Sequence, residues 1–306
     1  LDKMNSEDIN QQLKDKKNKK VSGQTKGIIY ILFAAFFFSI MSLMVRLSGN
    51  LPTMQKAFFR NFIAAVFSSM LLLRTPEKFK IKKTSWKSLF LRAGFGTAGL
   101  IANFWAIDHL GIADSNMLNK MSPFFAIILS IFILKEVPKK FEVISVIIAF
   151  IGAALIIKPT KGIASLPALV GLFGGFGAGT AYTFVRKLGK EGERGSVIVM
   201  FFSVFSTIVC LPWLILNYHP MSLKQVIFLL VAGSCACIAQ MCITSAYTHA
   251  PAKVISVYDY TQVIFATMWG LICFGEVPDI LSIFGYVIII GIALFKWFVS
   301  NKETAK

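Results

Sequence analysis

Charge is scarce in this chain, and acidic charge scarcest. Only 15% of its 306 residues are Asp, Glu, Lys or Arg, and just 15 are carboxylates; a soluble domain carries about 25% charged residues. Histidine occurs three times and cysteine five times. That leaves no carboxylate cluster for a metal, and there is no His-Glu-x-x-His and no Gly-x-Ser-x-Gly. Neither an enzyme nor a cofactor is expected. Cys210, Cys235, Cys237, Cys242 and Cys273 all lie inside apolar runs, where they read as small apolar filler rather than as disulfide or metal partners. No short apolar leader precedes the first run, because the N-terminus opens on a polar stretch.

What the chain has in abundance is hydrocarbon. Hydrophobic residues make up 56% and the mean hydropathy is +0.68. Apolar runs near 20 residues recur along the length, the signature of an all-α membrane protein that crosses the bilayer many times. Ten spans are expected, near 27–47, 55–73, 88–107, 115–134, 141–158, 166–185, 195–216, 226–247, 254–274 and 280–298. The net charge of +17 does not point to nucleic acid, since the lysines lie between the runs, where anionic lipid attracts them. Residues 1–26, ending KDKKNKKVSGQTK, read as a disordered basic cytoplasmic tail. If the N-terminus is inside, 24 of the 32 basic residues fall on that side. Only Arg46, Lys56, Lys158, Lys161 and Lys224 fall outside, and Arg60, Arg92 and Lys120 stay within spans. The positive-inside rule then places both termini in the cytoplasm, and a bacterial inner membrane is the expected location.

The stretch from Ala106 to Pro138 occurs twice. A shift of 140 residues lays it on Ala246 to Pro278, with Ala106/Ala246, His109/His249, Phe125/Phe265, Ala126/Ala266, Glu136/Glu276, Val137/Val277 and Pro138/Pro278 identical. Asn119 falls on Asp259. The chain therefore divides into a first five-helix repeat, 27–158, and a second with the C-terminus, 159–306. Five spans is an odd number, so the second repeat enters the membrane upside down. Ten transmembrane helices as two inverted five-helix repeats build alternating-access transporters, with the site where the repeats meet.

Several segments carry a resemblance. The five-plus-five order and the paired helices ending in Lys135-Glu136 and Gly275-Glu276 resemble the drug/metabolite transporter superfamily, EamA-type branch. Ala57 to Leu73 is similar to its second helix, Ser122-Pro123-Phe124 to its fourth-helix proline, and Gly171 to Gly189 to its glycine-rich sixth helix. The first span lacks the Trp-Gly often seen there, and Val263 replaces the second-repeat proline. The resemblance covers 27–299 and implies secondary transport of small metabolites, commonly export of amino acids or related compounds. Leu118-Asn119-Lys120 also resembles a motif of nucleotide-sugar transporters, where it contacts an anionic ligand, although on a different helix.

The residues themselves single out a site. Asn116, Asn119, Lys120 and Pro123 share one face of the fourth span, and a lysine at that depth needs a partner, water or a ligand. On the ninth, Asp259 and Gln262 lead onto Trp269, with Tyr258 and Tyr260 on either side of the acid. Asn103, Trp105 and Arg92 on the third span and Gln240 on the eighth are further cavity candidates. The expected cargo is a zwitterion, such as an amino acid or a derivative, with Lys120 and Asn119 on its carboxylate and Asp259 with the tyrosines on its cationic end. Organic phosphates or nucleotide sugars are the alternative, with Asp259 then a structural or proton-binding partner. A buried acid makes proton coupling one expectation. Monomer and homodimer both satisfy the sequence.

Overall fold

The computed structural model describes residues 6–135, 140–157, 165–249 and 258–304. The described residues are helical, with no strand among them. Helices α1 (Ser6–Leu47), α2 (Thr53–Leu73), α3 (Trp86–Leu110), α4 (Ile112–Asn119), α5 (Ser122–Ile133) and α6 (Lys140–Ile157) form the first half. Helices α7 (Leu166–Lys190), α8 (Gly195–Leu216), α9 (Leu223–His249), α10 (Thr261–Phe274) and α11 (Ile280–Thr304) form the second. Hydrocarbon offers no water to a free N–H or C=O, so a chain this apolar satisfies its backbone inside each segment, as helix. Among the described residues, seven helices are long and apolar enough to cross a membrane, with α4 and α5 taken as one. Large side chains such as Ile147, Ile151, Phe284 and Val287 face outward, toward lipid.

The helix pairing reveals the duplication. Counting α4 with α5 as the fourth span and α10 as the ninth, the contacts between the halves include first to eighth, third to sixth, second to seventh, fourth to ninth and fifth to tenth. Exchanging the two halves turns the first–eighth pair into the sixth–third pair and leaves the other three unchanged. A pseudo-two-fold axis requires that pattern, and with five spans per half the axis lies in the membrane plane.

The third–sixth seam is backbone on backbone. A Cβ built on Gly177 would lie 2.7 Å from Gly99 Cα, and one on Gly99 would lie 3.0 Å from Gly174 O. The glycine-rich stretch of α7 therefore serves close packing, as small residues do between helices in lipid.

Both repeats depart from regular α-helix at the same step. α4 stops at Asn119, Lys120 leaves the helical path at ψ 2°, and α5 starts at Ser122 with Pro123 in its first turn. Proline has no N–H to offer the Asn119 carbonyl, which weakens the helix there. In the second half a short 3₁₀ turn, Tyr258–Tyr260, precedes α10. The shift of 140 maps Asn119-Lys120-Met121 onto Asp259-Tyr260-Thr261. At this junction the Tyr260 hydroxyl donates to the Lys120 carbonyl oxygen at 3.1 Å.

From Ser6 the basic segment is helical and runs on into the first span as α1. Its lysines, glutamines and glutamate are good helix formers, and a segment joined to a formed helix extends it without a new nucleus. The expected connection after His249 and the Glu136 turn lie outside the described residues.

Candidate substrate site

The geometry of the site follows from these two irregular steps. At each of them the chain can no longer place its polar side chains on a regular face, and two of them turn toward each other. Lys120 Nζ lies 2.6 Å from Asp259 Oδ2, and both residues are under a tenth exposed. Asp259 Oδ1 is buried with no hydrogen-bond partner among the described residues. Beside this pair, Gln262 Nε2 donates to Asn116 Oδ1 at 2.6 Å, and the Ser42 hydroxyl donates to the same oxygen at 3.3 Å. Asn116 returns its own amide to the Ile112 carbonyl. Lysine, acid and amides thus form one polar seam between the repeats.

Next to the seam lies a cavity of about 90 Å³. Lys120, Asn119 and Gln262 line it from the seam, Arg92 and Asn103 from α3, Gln240 from α9. Arg60 of α2, Tyr182 of α7 and Phe202 of α8 complete the polar and aromatic wall. Arg60 and Arg92 are each 3% exposed, yet neither is paired with a carboxylate among the described residues. Among the described residues, Arg92 Nε and Nη1 and Arg60 Nε have no hydrogen-bond partner, and Asn103 Oδ1 lacks one too. The two guanidiniums share the Phe202 ring, with Arg92 Cζ 3.7 Å and Arg60 Cζ 5.7 Å from its centre. Cation–π attraction of this kind is worth about 2 kcal/mol when desolvated, too little to replace an anion beside a buried cation.

Half of the residues singled out from sequence meet at this cavity: Asn119, Lys120, Gln262, Arg92, Asn103 and Gln240. Asn116 supports them from behind through Gln262. The others sit elsewhere. Asp259 does not line the cavity, because the nearest fixed cation, Lys120, has claimed it. The two charges expected on either end of a zwitterion thus pair with each other in this structure. Tyr260 is engaged with the Lys120 backbone, and Tyr258 packs edge-on against Trp297 at 6.3 Å. Trp269 donates to Ser39 Oγ at 3.1 Å, tying α10 to α1. Trp105 stacks on His109, with ring centres 4.0 Å apart. Arg60 was legible only as an in-span cation, and Phe202 and Tyr182 gave no local signal.

Both ends of the molecule carry polar ties. At one end Arg46 Nη2 meets Glu276 Oε1 at 3.2 Å, and Arg46 also donates to the Ile107 and Asp108 carbonyls. Glu276 Oε2 accepts from the Ile112 amide at 3.1 Å. Gly111, at φ +100°, makes the turn there, and a Cβ on it would sit 3.1 Å from Glu276 Oε2. Lys56, wholly buried, pairs with Asp108 at 2.7 Å. Glu276 is thus an anchor between the halves, and Lys56, expected in an outer connection, lies inside α2. At the other end Arg194 meets Glu77 at 3.1 Å and donates to the Lys78 and Lys80 carbonyls.

Two inverted halves that meet around a buried charged cavity, with ties at both mouths, define a membrane transporter. Comparison with known proteins names the family. The chain matches the EamA-like transporter family over residues 25–158 and again over 165–297, and it belongs to that family. It is similar to the pseudopaline exporter CntI of Pseudomonas aeruginosa, 30% identical over 86% of this chain and 93% of the relative. It is 24% identical to an uncharacterized transporter of Helicobacter pylori, over 86% of this chain and 92% of that one. Human solute carrier family 35 member G1 is also 24% identical, over 90% and 81%. A solved crystal structure shares the fold at TM-score 0.64 and 12% identity, covering 91% of this chain and 98% of its own. The protein is a membrane-embedded transporter of the drug/metabolite superfamily and not an enzyme.

Proposed function

We propose that this transporter exports small amino-acid-like metabolites, binding them by a carboxylate in the cavity between the repeats. The observation that carries this reading is Arg92. A buried guanidinium with two N–H-bearing nitrogens unsatisfied is costly unless the resting structure anticipates an anion. A planar fork suits a carboxylate bidentately. Asn103 Oδ1, an acceptor without a donor on the same helix, suits the amine of the same molecule. Export is the direction named for the Pseudomonas relative, and we extend it to this chain.

At about 90 Å³ the cavity is well under the roughly 300 Å³ at which ligand sites begin. Cargo therefore enters when one mouth opens. In our reading the Arg46–Glu276 end opens outside and the Arg194–Glu77 end opens inside, following the distribution of basic residues. The halves rock about the seam and open the mouths in turn. Phosphate would satisfy the same arginines, which keeps organic phosphates as the second reading.

Counterflow in proteoliposomes tests the proposal. Vesicles loaded with unlabelled glutamate, other amino acids or phosphoserine should accumulate the labelled compound unmodified, for at least one carboxylate-bearing amine. Exchange of cations or neutral solutes alone would end the carboxylate reading. Exchange of phosphates alone would favour the second one.

A further inference from the structure

The cavity holds more positive charge than a zwitterion can satisfy. Arg60, Arg92 and Lys120 reach it, and the one acid beside them among the described residues, Asp259, is spent on Lys120. A monocarboxylate held by Arg92 would leave Arg60 as it is now. Arg60 gives Nη1 to Asn61 Oδ1 at 2.6 Å, keeps a partnerless buried Nε and contacts Phe202 from farther away. The two arginines come from different helices, α2 and α3, and converge on one ring of a third, α8. Helix packing alone does not ask for that convergence. Two like charges brought together in a dry site repel, and each pays its own desolvation.

We infer that the natural cargo carries at least two anionic groups, one held by Arg92 and the second by Arg60, with Phe202 as the apolar spacer between them. This rests on the carboxylate reading above and narrows it to di- or polycarboxylated amines. Phe202 has Arg92 Cζ 3.7 Å and Arg60 Cζ 5.7 Å from its ring centre, so the chain linking the two anionic groups packs on the ring while the groups reach the two guanidiniums. Asn103 and Gln240 remain for the amine and other polar atoms. The inference makes Arg60 a specificity residue: it separates dianions from the monoanions that Arg92 alone would accept. It also predicts that the empty protein is strained by its own cations, which a purely structural pair of arginines would not be.

The test uses the purified full-length protein in detergent, with two measurements. The first is binding by isothermal calorimetry to matched pairs in which one carboxylate is replaced by an amide: glutamate against glutamine, 2-aminoadipate against its 6-amide, glutarate against glutaramate. Each diacid should bind at least tenfold more tightly than its amide partner. Arg60→Gln should collapse that ratio toward one while monoanion binding persists, and Arg92→Gln should weaken every member. The second measurement needs no ligand: the midpoint of thermal unfolding of Arg60→Met and Arg92→Met. Both variants should melt no lower than the parent, because each removes a buried uncompensated charge and keeps the bulk. Diacids and amides bound equally would overturn the inference and leave the carboxylate reading standing. Binding of neither diacids nor amides would overturn both. A melting point lowered by either methionine variant would make that arginine a structural member and overturn the inference.

Discussion

Replacing Asp259 with Asn removes a charge and little volume, and it leaves Lys120 in a dry seam with an amide where its counter-ion stood. The separation is 2.6 Å and both side chains are under a tenth exposed. At such burial, breaking one side of an ion pair costs about 3–5 kcal/mol, because the remaining charge keeps its desolvation and loses its compensation. A loss of 1 kcal/mol lowers the melting point by about 2–4 °C in chains of 150–250 residues. Asp259→Asn should therefore melt roughly 6–20 °C below the parent, and Lys120→Met should fall comparably by stranding the carboxylate, whose Oδ1 already lacks a partner. The double variant Lys120→Met/Asp259→Leu removes both charges and should recover to within about 1 kcal/mol of the parent. Nanoscale scanning fluorimetry reads all four proteins through the five native tryptophans, at one heating rate because membrane proteins often unfold irreversibly. Single variants within about 2 °C of the parent, or a double variant no better than the worse single, would refute a compensated buried pair.

Other consequences are equally direct. Glu276→Gln removes the charge that holds Arg46 and weakens the acceptor for the Ile112 amide, so a cysteine placed at residue 115 should react with an impermeant maleimide at least tenfold faster than in the parent background, a shift of about 1.4 kcal/mol; an unchanged rate would show that this tie does not hold the mouth closed. Gly177→Ala should destabilise by about 1–3 kcal/mol and Gly177→Leu should abolish folded expression, read by size-exclusion chromatography, since any Cβ there meets Gly99 backbone. Cysteines at residues 192 and 220 should be protected from and labelled by impermeant thiol reagents in intact cells, respectively; the reverse would invert the proposed orientation. If the cargo is net anionic, efflux from proteoliposomes should accelerate under an inside-negative potential, which contributes about 2.3 kcal/mol per charge per 100 mV.

The architecture was readable because lipid leaves so few options. Ten apolar runs could only be ten helical spans, and the shift of 140 residues pointed to Asn119 and Asp259 before any coordinates did. The structure puts both departures from regular α-helix, and the charged pair, at that step. Sequence could not tell whether Lys120 and Asp259 would face each other or share a ligand, because that depends on an ångström-scale approach between helices distant along the chain. Phe202 was invisible for a plainer reason: among 29 phenylalanines nothing local sets one apart. Arg60 was legible as a cation within a span and no further, because its place in the cavity depends on α2 packing on α8 and α9, which carries the arginine inward. Asp108, not singled out at all, becomes the counter-ion of a buried lysine once α2 and α3 are side by side.

The hydrogen bond from Tyr260 to the Lys120 carbonyl joins two residues that the duplication makes equivalent, 140 positions apart. A position that touches its own counterpart lies on the axis relating the halves. In a carrier whose two facing forms arise by exchanging the roles of those halves, displacement grows with distance from that line and vanishes on it. Lys120 and Tyr260 are thus the still centre of the motion, while Gly111 and Arg194, at opposite mouths, travel farthest. Spin labels beside the axis would report nearly constant distances through a transport cycle even as labels at the mouths swing apart. Cargo held there would barely move through the membrane, and the two water-filled entrances would instead pass it from one side to the other.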